Sequence, residues 1–212
     1  MRVEIWSDVL CPFCYIGKRK FENALQQFKQ KDSVIVEWKS YQLDPEFVSG
    51  DAKSYVDYLA TRKGFSLQQV NQMFGNVTEM AQSVGLNYRF DNAIVANSHK
   101  AHQLTHLAKK HRKESEIEEA LFSAHFIEGK DIGNEDILIA IAKSSGIDEQ
   151  EAKTALQSNL YANDVAKDIE EATKLGVQGV PFFVFNRTYA VSGAQDSNVF
   201  LKTLEKVATE LK

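Results

Sequence analysis

Two cysteines, Cys11 and Cys14, are the residues of this 212-residue chain whose type and spacing point most directly to chemistry. A pair separated by two residues, in a reducing compartment, is usually redox-active or part of a metal site. A tetrahedral zinc ion needs two further ligands, and the sequence has no second cysteine pair to supply them. The pair therefore predicts thiol–disulfide chemistry, with two incidental thiols as the alternative.

The residues around the pair predict how it is positioned. Alternating Val3 and Ile5 predict a strand before it, and apolar residues at helical spacing from Ile16 onward predict a helix after it. Proline is favoured at the first position of a helix, so Pro12 places Cys11 at the N-cap. There the unpaired backbone N–H groups and the helix dipole stabilise a thiolate over a thiol.

A strand, an N-terminal Cys-x-x-Cys pair and a helix together form the opening of a thioredoxin-type fold. Cys14 would then lie one turn into the helix, where it can be covered, which suits a resolving thiol. This fold also predicts a later strand that is entered through a cis-proline facing the cysteines. Pro181, in the segment Gly-Val-Pro-Phe-Phe-Val, matches that position, and we predict a cis bond between Val180 and Pro181. A trans proline that opens an edge strand is the alternative.

Three segments resemble the DsbA-like disulfide oxidoreductases and, among them, the FrnE-type subgroup, whose members lack signal peptides. They are Cys-Pro-Phe-Cys-Tyr-Ile-Gly-Lys near the start, Gly-Val-Pro-Phe-Phe-Val near the end and Val-Ser-Gly-Ala-Gln just after it. The resemblance implies that Cys11 is the nucleophile, that Cys14 is the resolving thiol, and that Val180 and Pro181 dock the substrate backbone. Phe13, between the cysteines, should be exposed at the mouth of the site, where it could receive apolar substrate side chains.

The resemblance also implies the fold class, which is an α/β thioredoxin fold with a large all-helical insertion. We predict a discontinuous thioredoxin-like domain at 1–45 and 160–212, and a helical insertion domain at 46–159. The sequence shows neither an internal repeat nor a low-complexity linker between these parts.

Local signals predict the helices and strands of this arrangement. Ser66-x-x-Gln69 is a predicted capping box, and Asn134 and Asp148 are predicted N-caps. Hydrophobic periodicity predicts further helices at about 97–112, 114–127 and 160–175. Two short apolar segments within 182–191 predict a β-hairpin.

Charge and hydropathy exclude several classes of partner. Lys plus Arg number 25 against 29 for Asp plus Glu, a net charge of −4, which predicts no nucleic-acid partner and no anionic membrane surface. No apolar run approaches the roughly eighteen residues of a membrane span, and the first residues lack the apolar stretch of a secretory peptide. We therefore expect a cytoplasmic protein with thiol- or disulfide-containing protein or small-molecule substrates, and the sequence leaves its oligomeric state open.

Two other functions stay open. The FrnE-type subgroup is similar to 2-hydroxychromene-2-carboxylate isomerases and kappa-class glutathione transferases, which implies a glutathione-dependent isomerase or transferase as the first alternative. Those isomerases typically have serine at the position of Cys11 and lack the second cysteine, so the intact pair argues against them. The second alternative is a non-enzymatic thiol chaperone. We expect no tightly bound cofactor and no metal, and glutathione is a candidate redox partner.

Departures from the DsbA pattern bear on the mechanism. DsbA-type enzymes carry a buried acidic residue six positions before the first cysteine, and here that position is Ile5. Glu4 should face the other side of the strand, and Asp8 lies closer, in the turn, so the group that assists proton transfer to Cys14 is left open. Phe13 stands where strong oxidants have a histidine, which predicts a reduction potential between about −120 and −270 mV.

A histidine face is the remaining candidate. His99, His102 and His106 lie at spacings of three and four, which would permit metal ligation on one helix face. We expect this face to point away from the core of its helix, into solvent or into the groove between the two domains. No cysteine or carboxylate joins the pattern, so a metal site is not favoured.

Overall fold

A four-stranded mixed sheet brings the chain to the cysteine pair. The computed structural model describes residues 1–50 and 54–210. In these residues the sheet has the strand order β2-β1-β3-β4. Strand β1 pairs in parallel with β2 and antiparallel with β3, which in turn pairs antiparallel with β4. The strands are β1 (Arg2–Ser7), β2 (Ile35–Ser40), β3 (Phe182–Phe185) and β4 (Tyr189–Ser192).

Nine α-helices surround and interrupt this sheet within the described residues. Six of them lie in the chain between β2 and α8, and α1 and α9 pack together against the strands. This arrangement confirms the predicted fold class, whereas the domain boundaries stay a prediction. The helices are α1 (Pro12–Gln27), α2 (Tyr55–Lys63), α3 (Leu67–Gln82), α4 (His99–Lys110), α5 (Glu114–Phe126), α6 (Glu135–Ser144), α7 (Glu149–Gln157), α8 (Ala162–Lys174) and α9 (Ser197–Glu210).

Strand β1 is buried on both of its faces. Val3 and Ile5 belong to the main core with α1 and α9, while Trp6 packs in a second cluster with Ala172 of α8 and Val184 of β3. Successive side chains of a strand point to opposite faces, so both layers of helices are needed to cover it. The turn that follows β1 therefore extends from a strand that is packed on both faces.

The predicted helix signals hold in the structure. Ser66 forms the capping box with Gln69, and Asn134 and Asp148 accept hydrogen bonds from backbone N–H groups of the helices that they cap. The predicted helix ends lie within two residues of those observed, as is usual for fraying termini. Among the described residues, no helix combines the length and the apolar character needed to cross a membrane.

Helix α1 packs closely against the entrance of β3. The Val180–Pro181 peptide bond is cis, which confirms the prediction made from the sequence. Gly17, on α1, faces that proline, and a Cβ atom at this position would lie only 2.8 Å from Pro181 Cγ. Glycine at position 17 therefore allows the helix that carries the cysteines to lie against the proline loop.

Replacing Gly17 with alanine tests this contact. We expect Gly17→Ala to lower the free energy of unfolding by about 1–3 kcal/mol, because the added methyl group overpacks the contact with Pro181. Gly75→Ala in α3 is the matched control, since its Cβ would meet no described atom within 4 Å. That control should gain up to about 1 kcal/mol from the better helix propensity of alanine. Urea unfolding measures both variants, and a Gly17→Ala protein as stable as the wild type would contradict the tight packing.

Candidate active site

The cysteine turn joins β1 directly to α1. The Cys11 N–H donates to the Asp8 carbonyl at 2.9 Å, and the Cys14 N–H donates to the Cys11 carbonyl at 3.0 Å. Cys11 has extended backbone angles (φ −89°, ψ 112°) and is the N-cap of α1, with Pro12 at the first helical position. The predicted position of the first cysteine at the helix N-terminus is confirmed.

The two thiols and the proline loop come together at this point. Both cysteines are free thiols, and their exposed fractions are 3% for Cys11 and 1% for Cys14. The Cys11 thiol donates to the Val180 carbonyl oxygen at 3.5 Å, directly before Pro181. Phe13 is 38% exposed between the cysteines, as expected. The structure thus brings together all five site residues that the sequence singled out.

Cys14 lies in a setting that holds it as a neutral thiol while Cys11 is reduced. Burial, followed by the neighbouring Cys11 thiol, raises the pKa of Cys14 well above its usual range. The Ser7 hydroxyl and the backbone of Asp8 act in the opposite direction on this pKa. Within the described residues, Ser7 Oγ is buried and forms no hydrogen bond. Ser7 is therefore placed to donate a hydrogen bond when a thiolate forms at Cys14.

Asp8, in the turn after β1, and His102, on α4, lie side by side and are buried. The Asp8 carboxylate accepts hydrogen bonds from the N–H groups of Leu10 (3.2 Å) and Leu43 (2.7 Å), and His102 Nε2 lies 3.5 Å from it. Although burial alone would raise the pKa of Asp8, His102 and these backbone donors bring it below its usual value. The same contact raises the pKa of His102 against the effect of burial. The contact between Asp8 and His102 therefore connects the turn to α4.

This pair corrects the expectation for the histidine face. His102 is 2% exposed and points into the turn of the thioredoxin-type sheet, so solvent was the wrong environment for it. His106 lies 3.1 Å from Asp168 on α8, whereas His99 is half-buried at the start of α4. The polar face of α4 is therefore covered by the turn after β1 and by α8, where His102 faces Asp8 and His106 faces Asp168. Within the described residues, no cluster of three or more cysteine, histidine or carboxylate side chains could hold a metal ion.

Two tyrosines from the inserted segment fasten the turn from the other side. The Tyr88 hydroxyl donates to the Pro12 carbonyl at 2.7 Å, and the Tyr55 hydroxyl reaches the Leu10 carbonyl at 3.4 Å. Tyr55 Oη also lies 3.0 Å from His125 Nε2. A His125 proton on Nε2 can be donated to Tyr55, which in turn donates to Leu10. Burial lowers the pKa of His125 to about 4, so the imidazole is neutral near pH 7.

Glu4 lies away from the thiols, on the opposite side of the sheet, where it forms an ion pair with Arg187. Ile5, at the position where DsbA-type enzymes have an acid, is buried in the same core cluster as the two cysteines. Sequence reasoning had set aside His102 and had not considered Tyr55, Tyr88 or His125 as parts of the site. The sequence carried no clear signal for them, because their contacts join residues that lie 45 to 94 positions apart in the chain.

A strand, a cysteine pair at the start of a helix and a facing cis-proline define the thioredoxin-type class of protein. The chain belongs to the family described as the DSBA-like thioredoxin domain, whose model matches residues 2–205. It is similar to the probable DsbA oxidoreductase SCO1869 of Streptomyces coelicolor, with 36% identity, a TM-score of 0.92, and coverage of 99% of this chain and 91% of that one.

Two more distant structures share the fold. A 2-hydroxychromene-2-carboxylate isomerase matches with a TM-score of 0.68 at 15% identity, over 100% of this chain and 96% of that one. The cytosolic disulfide reductase DsbM of Pseudomonas aeruginosa, in a structure with glutathione, matches with a TM-score of 0.63 at 16% identity, over 100% and 97%. Identities this low support a common fold and leave the chemistry to the site itself.

The neutral His125 predicts how stability depends on pH. The pKa of His125 is about 4 in the folded protein and near 6.5 when unfolded, so between these values the unfolded chain binds a proton that the folded protein does not. We expect the free energy of unfolding to fall by roughly 1–3 kcal/mol from pH 6.5 to 4.5. His102 does not oppose this loss, because its raised pKa contributes full stability below pH 6.5.

Urea unfolding across this pH range, on two variants, checks the assignment. His125→Gln should flatten the dependence between pH 6.5 and 4.5, since it removes the buried group that resists protonation. His111→Gln, at a partly exposed histidine paired with Glu151, is the control and should keep the wild-type slope. Equal slopes in the wild type and His125→Gln would show that another group causes the loss.

Proposed function

We propose that the protein is a thiol–disulfide oxidoreductase in which Cys11 is the nucleophile and Cys14 the resolving thiol. The observation that carries the proposal is the meeting of Cys11 Sγ, at the N-terminus of α1, with the Val180 carbonyl before cis-Pro181. A substrate backbone beside Val180 and Pro181 would bring its sulfur to Cys11. Phe13, exposed at the rim, would contact apolar substrate side chains.

The first step uses the position of Cys11 at the helix N-terminus. The Cys11 thiolate, stabilised by the unpaired N–H groups of the first turn, attacks one sulfur of a substrate disulfide. A Cys11–substrate disulfide forms, the substrate S–S bond breaks, and the second substrate sulfur leaves as a thiolate that takes a proton from solvent. The geometry supports this order because Cys11 lines an open space while Cys14 lies behind it.

The second step depends on a change in the surroundings of Cys14. The neighbouring Cys11 thiol helps to keep the pKa of Cys14 high, and this effect ends once Cys11 is held in a mixed disulfide. Cys14 can then lose its proton, with Ser7 donating a hydrogen bond to the thiolate. The thiolate attacks Cys11 Sγ, so the Cys11–Cys14 disulfide forms and the bond between Cys11 and the substrate breaks. The substrate sulfur leaves as a thiolate and takes up one proton, which balances the proton that Cys14 gave up, and two electrons have passed from the cysteine pair to the substrate. The reverse sequence donates a disulfide.

The partners and setting of this activity follow the expectations from the sequence. We propose disulfide- or thiol-containing proteins or small thiols as substrates, glutathione as a redox partner and a cytoplasmic location. We also propose that the protein belongs to the FrnE-type subgroup. In this proposal the thioredoxin-like domain comprises 1–45 and 160–212, and the helical insertion domain comprises 46–159. A glutathione-dependent isomerase would need neither Cys14 nor its burial behind Cys11, so the intact pair supports the oxidoreductase.

Two serine variants separate the roles of the cysteines. Cys14→Ser should form a mixed disulfide with glutathione disulfide and stop there, because the resolving thiol is missing. Cys11→Ser should form no adduct and lose exchange activity by at least about 10³-fold, since the remaining Cys14 is buried. Mass spectrometry of the intact protein under non-reducing conditions reads both results. Adduct formation at Cys14 in Cys11→Ser would reverse the assignment.

The redox midpoint of the pair tests the direction of electron flow. The wild-type protein is equilibrated in glutathione buffers, and the thiols are trapped and counted. We expect a single midpoint between about −120 and −270 mV, because Phe13 cannot stabilise the Cys11 thiolate as a histidine would. A pair that never forms a disulfide, or that stops at a stable glutathione adduct, would reject the oxidoreductase and favour the glutathione-linked isomerase.

A further inference from the structure

An apolar cavity opens directly onto Cys11 from the side of the inserted helices. It has a volume of about 320 Å³, at the small end of the range of ligand pockets. Its wall combines the cysteine turn, including Cys11 and Phe13, with side chains from α2 and α3 such as Tyr55 and Phe74. Val180 touches Cys11 Sγ but is not among the described residues of this wall. The proline loop and the cavity therefore approach the same sulfur from different directions.

The wall of this Cys11 cavity has the chemistry of an apolar ligand site. Asp44 and Lys63 are the charged residues of its described wall, and the rest are apolar or aromatic. Asp44 is engaged by Arg62 at 2.9 Å and by the Tyr58 hydroxyl, and the Tyr55 hydroxyl is engaged by His125. A polar ligand would lose its hydration here without gaining equivalent hydrogen bonds, so an apolar one is favoured.

The low exposure of the Cys11 sulfur favours a small ligand over a folded protein. Cys11 is only 3% exposed, whereas Phe13 beside it is 38% exposed and stands at the surface. Disulfide exchange requires the attacking sulfur to meet the substrate disulfide in line, so the reacting bond must reach the recessed thiol. A small molecule can carry its disulfide into the cavity, while a disulfide in a folded protein is held near its own backbone.

We propose that the Cys11 cavity is a substrate site for small apolar disulfides and their thiols. This inference rests on the proposed exchange activity and specifies one of its substrate classes. A bound dialkyl disulfide is converted into two molecules of alkanethiol by the two steps given above, while Cys11 and Cys14 become a disulfide. The apolar groups lie against the aromatic wall, and the breaking S–S bond faces Cys11.

Two isosteric disulfides provide the test on the wild-type protein. Dipropyl disulfide and bis(2-hydroxyethyl) disulfide differ by a methyl against a hydroxyl group at each end, and reaction of each with free glutathione corrects for intrinsic reactivity. The reduced protein should prefer dipropyl disulfide by about tenfold or more after this correction. Dipropyl sulfide, which has no S–S bond, should inhibit both reactions competitively. If the protein shows neither the preference nor the inhibition but still reacts with bis(2-hydroxyethyl) disulfide, the cavity proposal is overturned and the proposed function stands. Failure of both disulfides to react would overturn both.

Two methionines of α3 supply matched variants. Met73 and Met80 are each 36% exposed, but Met73 lines the cavity and Met80 lies outside its described wall. Met73→Glu should slow the reaction with dipropyl disulfide by about tenfold and the reaction with bis(2-hydroxyethyl) disulfide by a much smaller factor, because the added carboxylate disfavours an apolar ligand more than a polar one. Met80→Glu should leave both rates unchanged, and Met73→Leu should keep the wild-type preference.

Two outcomes with these variants would overturn the proposal. Equal slowing of both disulfides by Met73→Glu would indicate a general effect on the cysteine turn rather than on a ligand. Slowed reduction of insulin, with an unchanged rate for dipropyl disulfide, would show that the cavity receives an apolar side chain of a protein substrate instead. Circular dichroism and thermal unfolding of each variant confirm that the comparison is made on folded protein.

Discussion

The close contact between the start of α1 and the proline loop is the constraint on which the rest of the structure depends. Cys11 must stand at a helix N-terminus and also face the Val180 carbonyl, so helix and loop meet with almost no space between them. At Gly17, about one turn beyond Cys14, α1 leaves no room for a side chain beside Pro181. The sheet holds both partners of this contact, because α1 follows β1 and the proline loop leads into the adjacent β3.

The inserted helices complete the site rather than merely enclosing it. The turn that carries Cys11 is held by two tyrosines of the inserted segment, since the Tyr55 hydroxyl reaches the Leu10 carbonyl and the Tyr88 hydroxyl donates to the Pro12 carbonyl. The contact between Asp8 and His102 joins the same turn to α4. Of these side chains, Tyr55 also lines the Cys11 cavity, so this one residue contacts both the cysteine turn and the cavity.

Much of the fold and the centre of the site were predictable from local signals. The Cys11–Pro12 sequence predicted the N-cap, because proline is favoured at the first position of a helix. The cis bond before Pro181 was predicted from the thioredoxin-type pattern as a whole, since a lone proline bond is usually trans. The capping residues Ser66, Asn134 and Asp148 likewise act within three residues of themselves. The histidine face of α4 was harder, because helical periodicity tells which residues share a face but not which element will cover it.

The sequence by itself determined the cysteine pair and its place at a helix start, since these depend on short-range spacing and on the preference of proline for the first helical position. The facing proline and the fold class followed from the thioredoxin-type order of the motifs and from the family resemblance that they carry. Only the tertiary structure decided that Asp8 pairs with His102, that Tyr55 and Tyr88 hold the cysteine turn, and that an apolar cavity reaches a recessed Cys11. These features join residues that lie far apart in the chain. Their contacts arise from how the inserted helices pack against the sheet, and no local preference of the backbone or side chains specifies that packing.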